Sequence, residues 1–185
     1  MRAILLLPLA TLCLWSCSSD DAELAAFATA AQQRGNAFQL ALRTELMQAM
    51  QEGGPANAIA VCSQRATAIA ASVSTDGYTV RRVGTRIRNP GNAPSERDRT
   101  ALAQFAARDK QDDSPIRMRN DDGTAPAFSM YMPLRAGEMC LTCHGDPASM
   151  PQAARDALSQ RYPQDQATGY ALGDLRGAVV VEAAR

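Results

Sequence analysis

Histidine, lysine and aromatic side chains are scarce in this chain. Among 185 residues there is one histidine, His144, and one lysine, Lys110, and aromatic residues make up 5%. With one imidazole, no metal can be held between two histidines of the same chain. A peroxidase-like site, which needs an open iron and a distal proton donor, is disfavoured on the same ground. Basic excess is also lacking. The formal net charge is zero, so the chain carries no electrostatic footprint for nucleic acid. Long apolar runs are missing as well. The longest, Ala3 to Trp15, falls short of the ~20 residues that span a bilayer. The length suits one domain.

That short run has a use of its own. Met1-Arg2, an apolar stretch and then small residues read as an export signal. Leu14-Trp15-Ser16-Cys17 resembles a bacterial lipobox, in which Cys17 becomes the lipidated first residue. Acyl chains on Cys17 would hold the protein to a membrane by lipid alone, and Ser18 in place of aspartate favours the outer membrane. The expected division is a signal at 1–16 and a single domain at 17–185, on the periplasmic side. The alternative is an ordinary cleaved leader and a soluble periplasmic protein.

Five cysteines remain to be accounted for. Cys13 leaves with the signal and Cys17 takes the lipid. Cys140-Leu141-Thr142-Cys143-His144 is a C-x-x-C-H motif. Two thiols about one helical turn apart can each add to a haem vinyl group, and the following imidazole then lies under the iron. A zinc knuckle would need two further Cys or His ligands, and only Cys62 is spare. The motif therefore predicts haem c, one per chain and covalent, held by Cys140 and Cys143 with His144 as iron ligand.

The surrounding pattern is α+β. Leu24, Phe27, Phe38, Leu42 and Leu46 suit a long amphipathic helix from Asp21 to about Glu52, with Gly35 a point where it can break. Gly53-Gly54-Pro55 punctuates it, and a second helix runs to about Ser72. Tyr78–Val83 reads as a strand, Asn89–Pro94 as a loop, and Ser95 as the cap of a helix over 96–108. Strands are expected at Ile116–Arg119 and Ala127–Pro133 around an Asp121-Asp122-Gly123 turn. A helix over 151–162 and a strand at Gly177–Glu182 complete the pattern.

Candidates for the iron's sixth position are Cys62, a methionine such as Met130, Met132 or Met139, Lys110, or no side chain. Cys62 falls with Ile59, Ala66 and Ile69 on one helix face, where a small core residue is the plain alternative. Haem propionates want cations, and arginine pairs best with carboxylates. Arg81, Arg82, Arg86 and Arg88 cluster beside the Asn-Pro loop, with Arg82 and Arg88 the first choices. Tyr131 and Tyr170 are candidates to pack on the porphyrin or simply in the core.

Five stretches together resemble a known family. They are Ala58-Ile59-Ala60-Val61-Cys62; Arg81-Arg82 leading to Arg88-Asn89-Pro90-Gly91-Asn92-Ala93-Pro94; Tyr131-Met132-Pro133-Leu134; Cys140 to Gly145; and Tyr162 to Tyr170 with Gly173-Asp174-Leu175-Arg176-Gly177. This order is similar to the bacterial c-type haem domain family with a PAS-like fold, whose members occur as stand-alone exported proteins and as sensory parts of receptors. The resemblance implies an antiparallel sheet flanked by helices, with an N-terminal helical segment and the haem against the sheet. It also implies iron between His144 and the thiolate of Cys62.

Ligation sets the functional expectation. Methionine opposite histidine raises the potential and suits an electron carrier. A thiolate stabilises ferric iron and can detach on protonation or reduction, opening a site for nitric oxide or carbon monoxide. A ligand that switches gives the two-state element a sensor needs. The leading expectation is a redox or small-gas sensor-like haem protein, not an enzyme, that signals through a partner protein. The alternative is a periplasmic electron-transfer cytochrome c with a redox partner.

Overall fold

The computed structural model describes residues 19–120, 123 and 126–183. The export signal and Cys17 lie outside the described residues, as do Asp121 and Asp122 of the expected turn.

The first element, α1 (Ser19–Val73), is a helical hairpin. Gly53 (φ −156°, ψ 19°) and Gly54 (φ 65°, ψ −161°) leave helical geometry and reverse the chain, and Pro55 opens the second arm. The arms run antiparallel. Glu45 meets Arg65 at 3.0 Å, and the Asn57 amide donates to the Ala49 carbonyl at 3.1 Å. The first arm does not break at Gly35. A Cβ there would lie 1.7 Å from Met132 Cε, so the glycine makes room for a buried methionine of the sheet.

Next come β1 (Tyr78–Gly84), a 3₁₀ turn at Pro90–Asn92, and α2 (Glu96–Ala106). Ser95 caps α2 in a reciprocal capping box with Asp98. Strands β2 (Ile116–Arg119) and β3 (Phe128–Arg135) follow, then α3 (Glu138–His144), α4 (Gln152–Arg161) and β4 (Leu175–Ala183). All pairings are antiparallel, in the order β1-β4-β3-β2. The expected α+β architecture, an antiparallel sheet flanked by helices behind an N-terminal helical segment, is what the chain forms.

Alternation along the strands builds two cores. Val80, Met130, Met132, Val179 and Val181 face the hairpin and pack with Phe27, Phe38 and Ile69. Val83, Tyr131, Ala178 and Val180 face α2 and pack with Ala101, Leu102 and Phe105. Valine-rich β4 is buried on both faces, which suits its inner position. Among the described residues no helix is long and apolar enough to cross a membrane.

Candidate haem site

A cavity of about 810 Å³ opens between the hairpin, one end of the sheet and α3. That volume falls within the range of cofactor sites. Phe38, Leu42 and Leu46 of the first hairpin arm give it apolar walls, and Ala58, Ile59, Cys62 and Ala66 of the second arm face it. The motif helix contributes Cys140, Cys143 and His144. The structure thus brings together the three motif residues and Cys62. All three of these cysteines are free thiols.

Helix α3 ends where it does because Gly145 follows His144. A Cβ at Gly145 would sit 2.6 Å from the Leu141 carbonyl oxygen, so any side chain would force the last turn open. The segment after α4 then zips onto the motif. Gly169 N–H donates to Gly145 O at 2.8 Å and Tyr170 N–H to His144 O at 2.9 Å. His144 Nδ1 lies 2.7 Å from the Ala167 carbonyl. A carbonyl only accepts, so Nδ1 carries the proton and Nε2 presents a lone pair to the cavity. Arg176 Nη2 donates to that nitrogen at 2.7 Å. Burial, together with the charges of Arg176 and Arg88, pushes the imidazole pKa down to about 2. His144 is therefore neutral at any ordinary pH, the form that binds a metal.

Burial raises the pKa of the Cys62 thiol, and the positive charge of Arg82 works against that rise. Cys143 is also raised by burial, with Arg88 and Arg176 opposing. Competing sixth ligands sort by position. Met130 and Met132 are buried in the hairpin-side core, and the Lys110 ammonium pairs with Asp174 at 2.9 Å. Met50 and Met139 do line the cavity.

The arginines divide in an unexpected way. Arg82 faces the cavity, and burial with the like charge of Arg176 lowers its pKa to about 10. Its Nε is buried without a partner, as is that of Arg176. Arg88 also reaches the site, but its charge is engaged by Asp165, with Nη2 to Oδ2 at 2.9 Å. Arg81 points to the opposite face and pairs with Asp98 and Glu182. Arg86 lies over the Tyr170 ring, 4.5 Å from its centroid.

Arg176 has no place in the sequence-based set, and β4 explains why. Leu175 packs on the α2 side with Ala178 and Val180, so strict alternation would put Arg176 one face out of step. A register shift at Leu134/Arg135, opposite this stretch, inserts an extra residue and re-aims the arginine into the cavity. Gly177, at φ 152°, absorbs the irregularity. Tyr170 lines the cavity, edge-on to His144 with ring centroids 6.3 Å apart. Tyr131 lies on the α2 side, where its hydroxyl donates to Asp98 at 3.0 Å.

The site can be tested against the expected cofactor. Among the described residues no group of three or more His, Cys, Asp and Glu side chains could hold a bare metal ion. The donor set instead offers three thiols, one imidazole, apolar walls and two enclosed arginines short of partners. A flat apolar macrocycle bearing carboxylates matches that set, and haem fits the residues present.

Comparison with known proteins agrees with this reading. The family model described as Tll0287-like: Tll0287 matches residues 20–184. The chain is also similar to the cyanobacterial heme-protein Tll0287, known from a crystal structure. Identity is 26% and the TM-score 0.59, over 89% of this chain and 96% of that one. No curated protein matches the chain.

Proposed function

Because the chain belongs to the Tll0287-like family, we propose that it is a mono-haem c-type protein, with iron between His144 and Cys62, serving as a redox or small-gas sensor. The observation that carries the reading is convergence. Cys140, Cys143, His144 and Cys62 line one cavity, although Cys62 comes from a distant helix. Bound there, haem would supply a one-electron centre with an axial position that a diatomic gas can compete for.

The chain's own residues define the rest. Cys140 and Cys143 would hold the ring by thioether bonds. His144 keeps its proton on Nδ1 and its lone pair toward the cavity. Arg82 and Arg176 each offer an unpartnered Nε to propionates. Cys62 is poised between burial, which favours the thiol, and Arg82, which favours the thiolate. Burial prevails, so the site favours the thiol, and release of the thiolate on protonation or reduction is the switching element of the sensor reading. Nitric oxide and carbon monoxide are the gases that suit such a site. The signal would pass to a partner protein rather than to catalysis within this chain. A lipid on Cys17 would keep the protein at the periplasmic side of the outer membrane. A Cys17→Ser variant recovered in the soluble fraction would support that placement, and one that stays with membranes would refute it.

Met50 and Met139 line the same cavity, and a methionine ligand would favour the electron-carrier reading. Low-temperature electron paramagnetic resonance of the ferric protein separates the two. A low-spin signal of narrow g-spread, lost in Cys62→Ala, supports the thiolate and the sensor. A spectrum unchanged by the substitution makes Cys62 a core residue, and the electron carrier then leads. A Cys140→Ser/Cys143→Ser variant loses haem from a denaturing gel. Retained haem staining would sink the covalent assignment.

A further inference from the structure

Arg88 and Asp165 form a buried pair beside the histidine, with side chains 13% and 10% exposed. Their hydrogen bonds converge on one point. Asp165 Oδ1 accepts from Ala167 N–H at 2.8 Å, and Oδ2 accepts from Arg88 Nε at 3.0 Å. Arg88 Nη2 donates to the Cys143 carbonyl and, at 3.3 Å, to the Ala167 carbonyl. That last oxygen is the one that accepts the His144 Nδ1 proton. A neighbouring bond, Gln166 N–H to Ile87 O at 2.9 Å, ties the two segments alongside.

We propose that Asp165 and Arg88 are a positioning pair that sets both the placement and the donor strength of His144 as an iron ligand. The inference rests on the haem c reading above. Partners of the far nitrogen of a ligating histidine fix the ring's tautomer and tune its basicity. Here that partner is a carbonyl, and the pair controls the carbonyl. Asp165 holds the Ala167 amide in place, so the oxygen stays under Nδ1. Arg88 shares the oxygen and draws electron density from it, which weakens its pull on the imidazole proton. Asp165 offsets part of the Arg88 charge, and the remainder is felt at His144, whose Nε2 lies 3.4 Å from Arg88 Nη1. In a poorly hydrated spot an unbalanced charge would be strongly felt. Arg88 is thereby committed to the protein, and Arg82 and Arg176 are the cavity arginines that keep a buried Nε without a partner.

The test is a redox titration of the full-length haem-loaded protein beside two single variants. Asp165→Asn can still accept from Ala167 but leaves a buried positive charge, so the midpoint potential should rise. Arg88→Gln leaves a buried negative charge, so the potential should fall. Covalent haem content, measured first in each protein, separates the two readings. A parent protein without thioether-bound haem overturns the haem reading and this inference with it. Haem-loaded variants that do not shift, or that shift in the same direction, overturn the pair alone, because mere loosening of the histidine would move both one way. Either variant is sufficient if the other does not fold, since each has its own expected sign.

Discussion

Adjacent arginines on β1 serve opposite faces of the sheet. Arg82 looks into the cavity, while Arg81 forks onto Asp98 and Glu182 at 2.8 and 2.9 Å. Asp98 is 1% exposed, and its burial alone would raise its pKa. The hydrogen bonds from Arg81 and Ser95 outweigh that and hold it down to about 2. The folded state thus favours the ionised carboxylate. Its contribution is fully present above the unfolded value near 3.8 and is lost as pH falls from there toward 2. The shift corresponds to about 2 kcal/mol. Urea denaturation of Asp98→Asn should show reduced stability at pH 7 and a flatter decline between pH 4 and 2. A variant as stable as the parent at pH 7 would contradict this account.

At the scale of the element, β4 is decided by one glycine. A Cβ on Gly177 would stand 2.0 Å from the Val83 carbonyl oxygen, at a φ of 152° that side chains rarely adopt. Gly177→Ala should cost at least about 2 kcal/mol, measured by urea unfolding. Its haem-loaded form should also show altered absorption, because Arg176 is aimed by the same irregularity. Gly137, whose added Cβ would meet nothing within 4 Å, is the control and should change far less.

The same stretch marks where the sequence stops being readable. Local signals placed most elements. Ser95 announced α2, and Gly53-Gly54-Pro55 announced the hairpin turn. The shared face of Ile59, Cys62 and Ala66 is the face that meets the cavity. These signals depend on neighbours within a turn or two. Three features do not. The register shift that turns Arg176 inward depends on β3 across the sheet. Gly35 looks like a helix breaker until Met132 fills its space. Arg88 reads as a free cation until Asp165 arrives from far along the chain. Each is settled by a long-range contact that no local pattern encodes.

Across the whole molecule, the hairpin serves as both a wall of the site and one half of the core. Phe38 is 1% exposed in the hairpin-side cluster and also lines the cavity. Phe38→Ala should destabilise the protein by roughly 3–5 kcal/mol, seen as a lower urea midpoint, while leaving Cys140 and Cys143 intact. Haem retention with loss of stability would separate packing from attachment.

The strand order has a consequence in time. β1 pairs only with β4, and β3 reaches β1 only through it, yet β4 comes last in the chain. During synthesis the hairpin, β1, β2, β3 and the C-x-x-C-H motif all emerge before the strand that joins them. Until residues 175–183 arrive, β1 has no strand partner and the cavity lacks Arg176 and Val179. Cys140 and Cys143 therefore pass through a period on an open chain before the last strand completes the sheet.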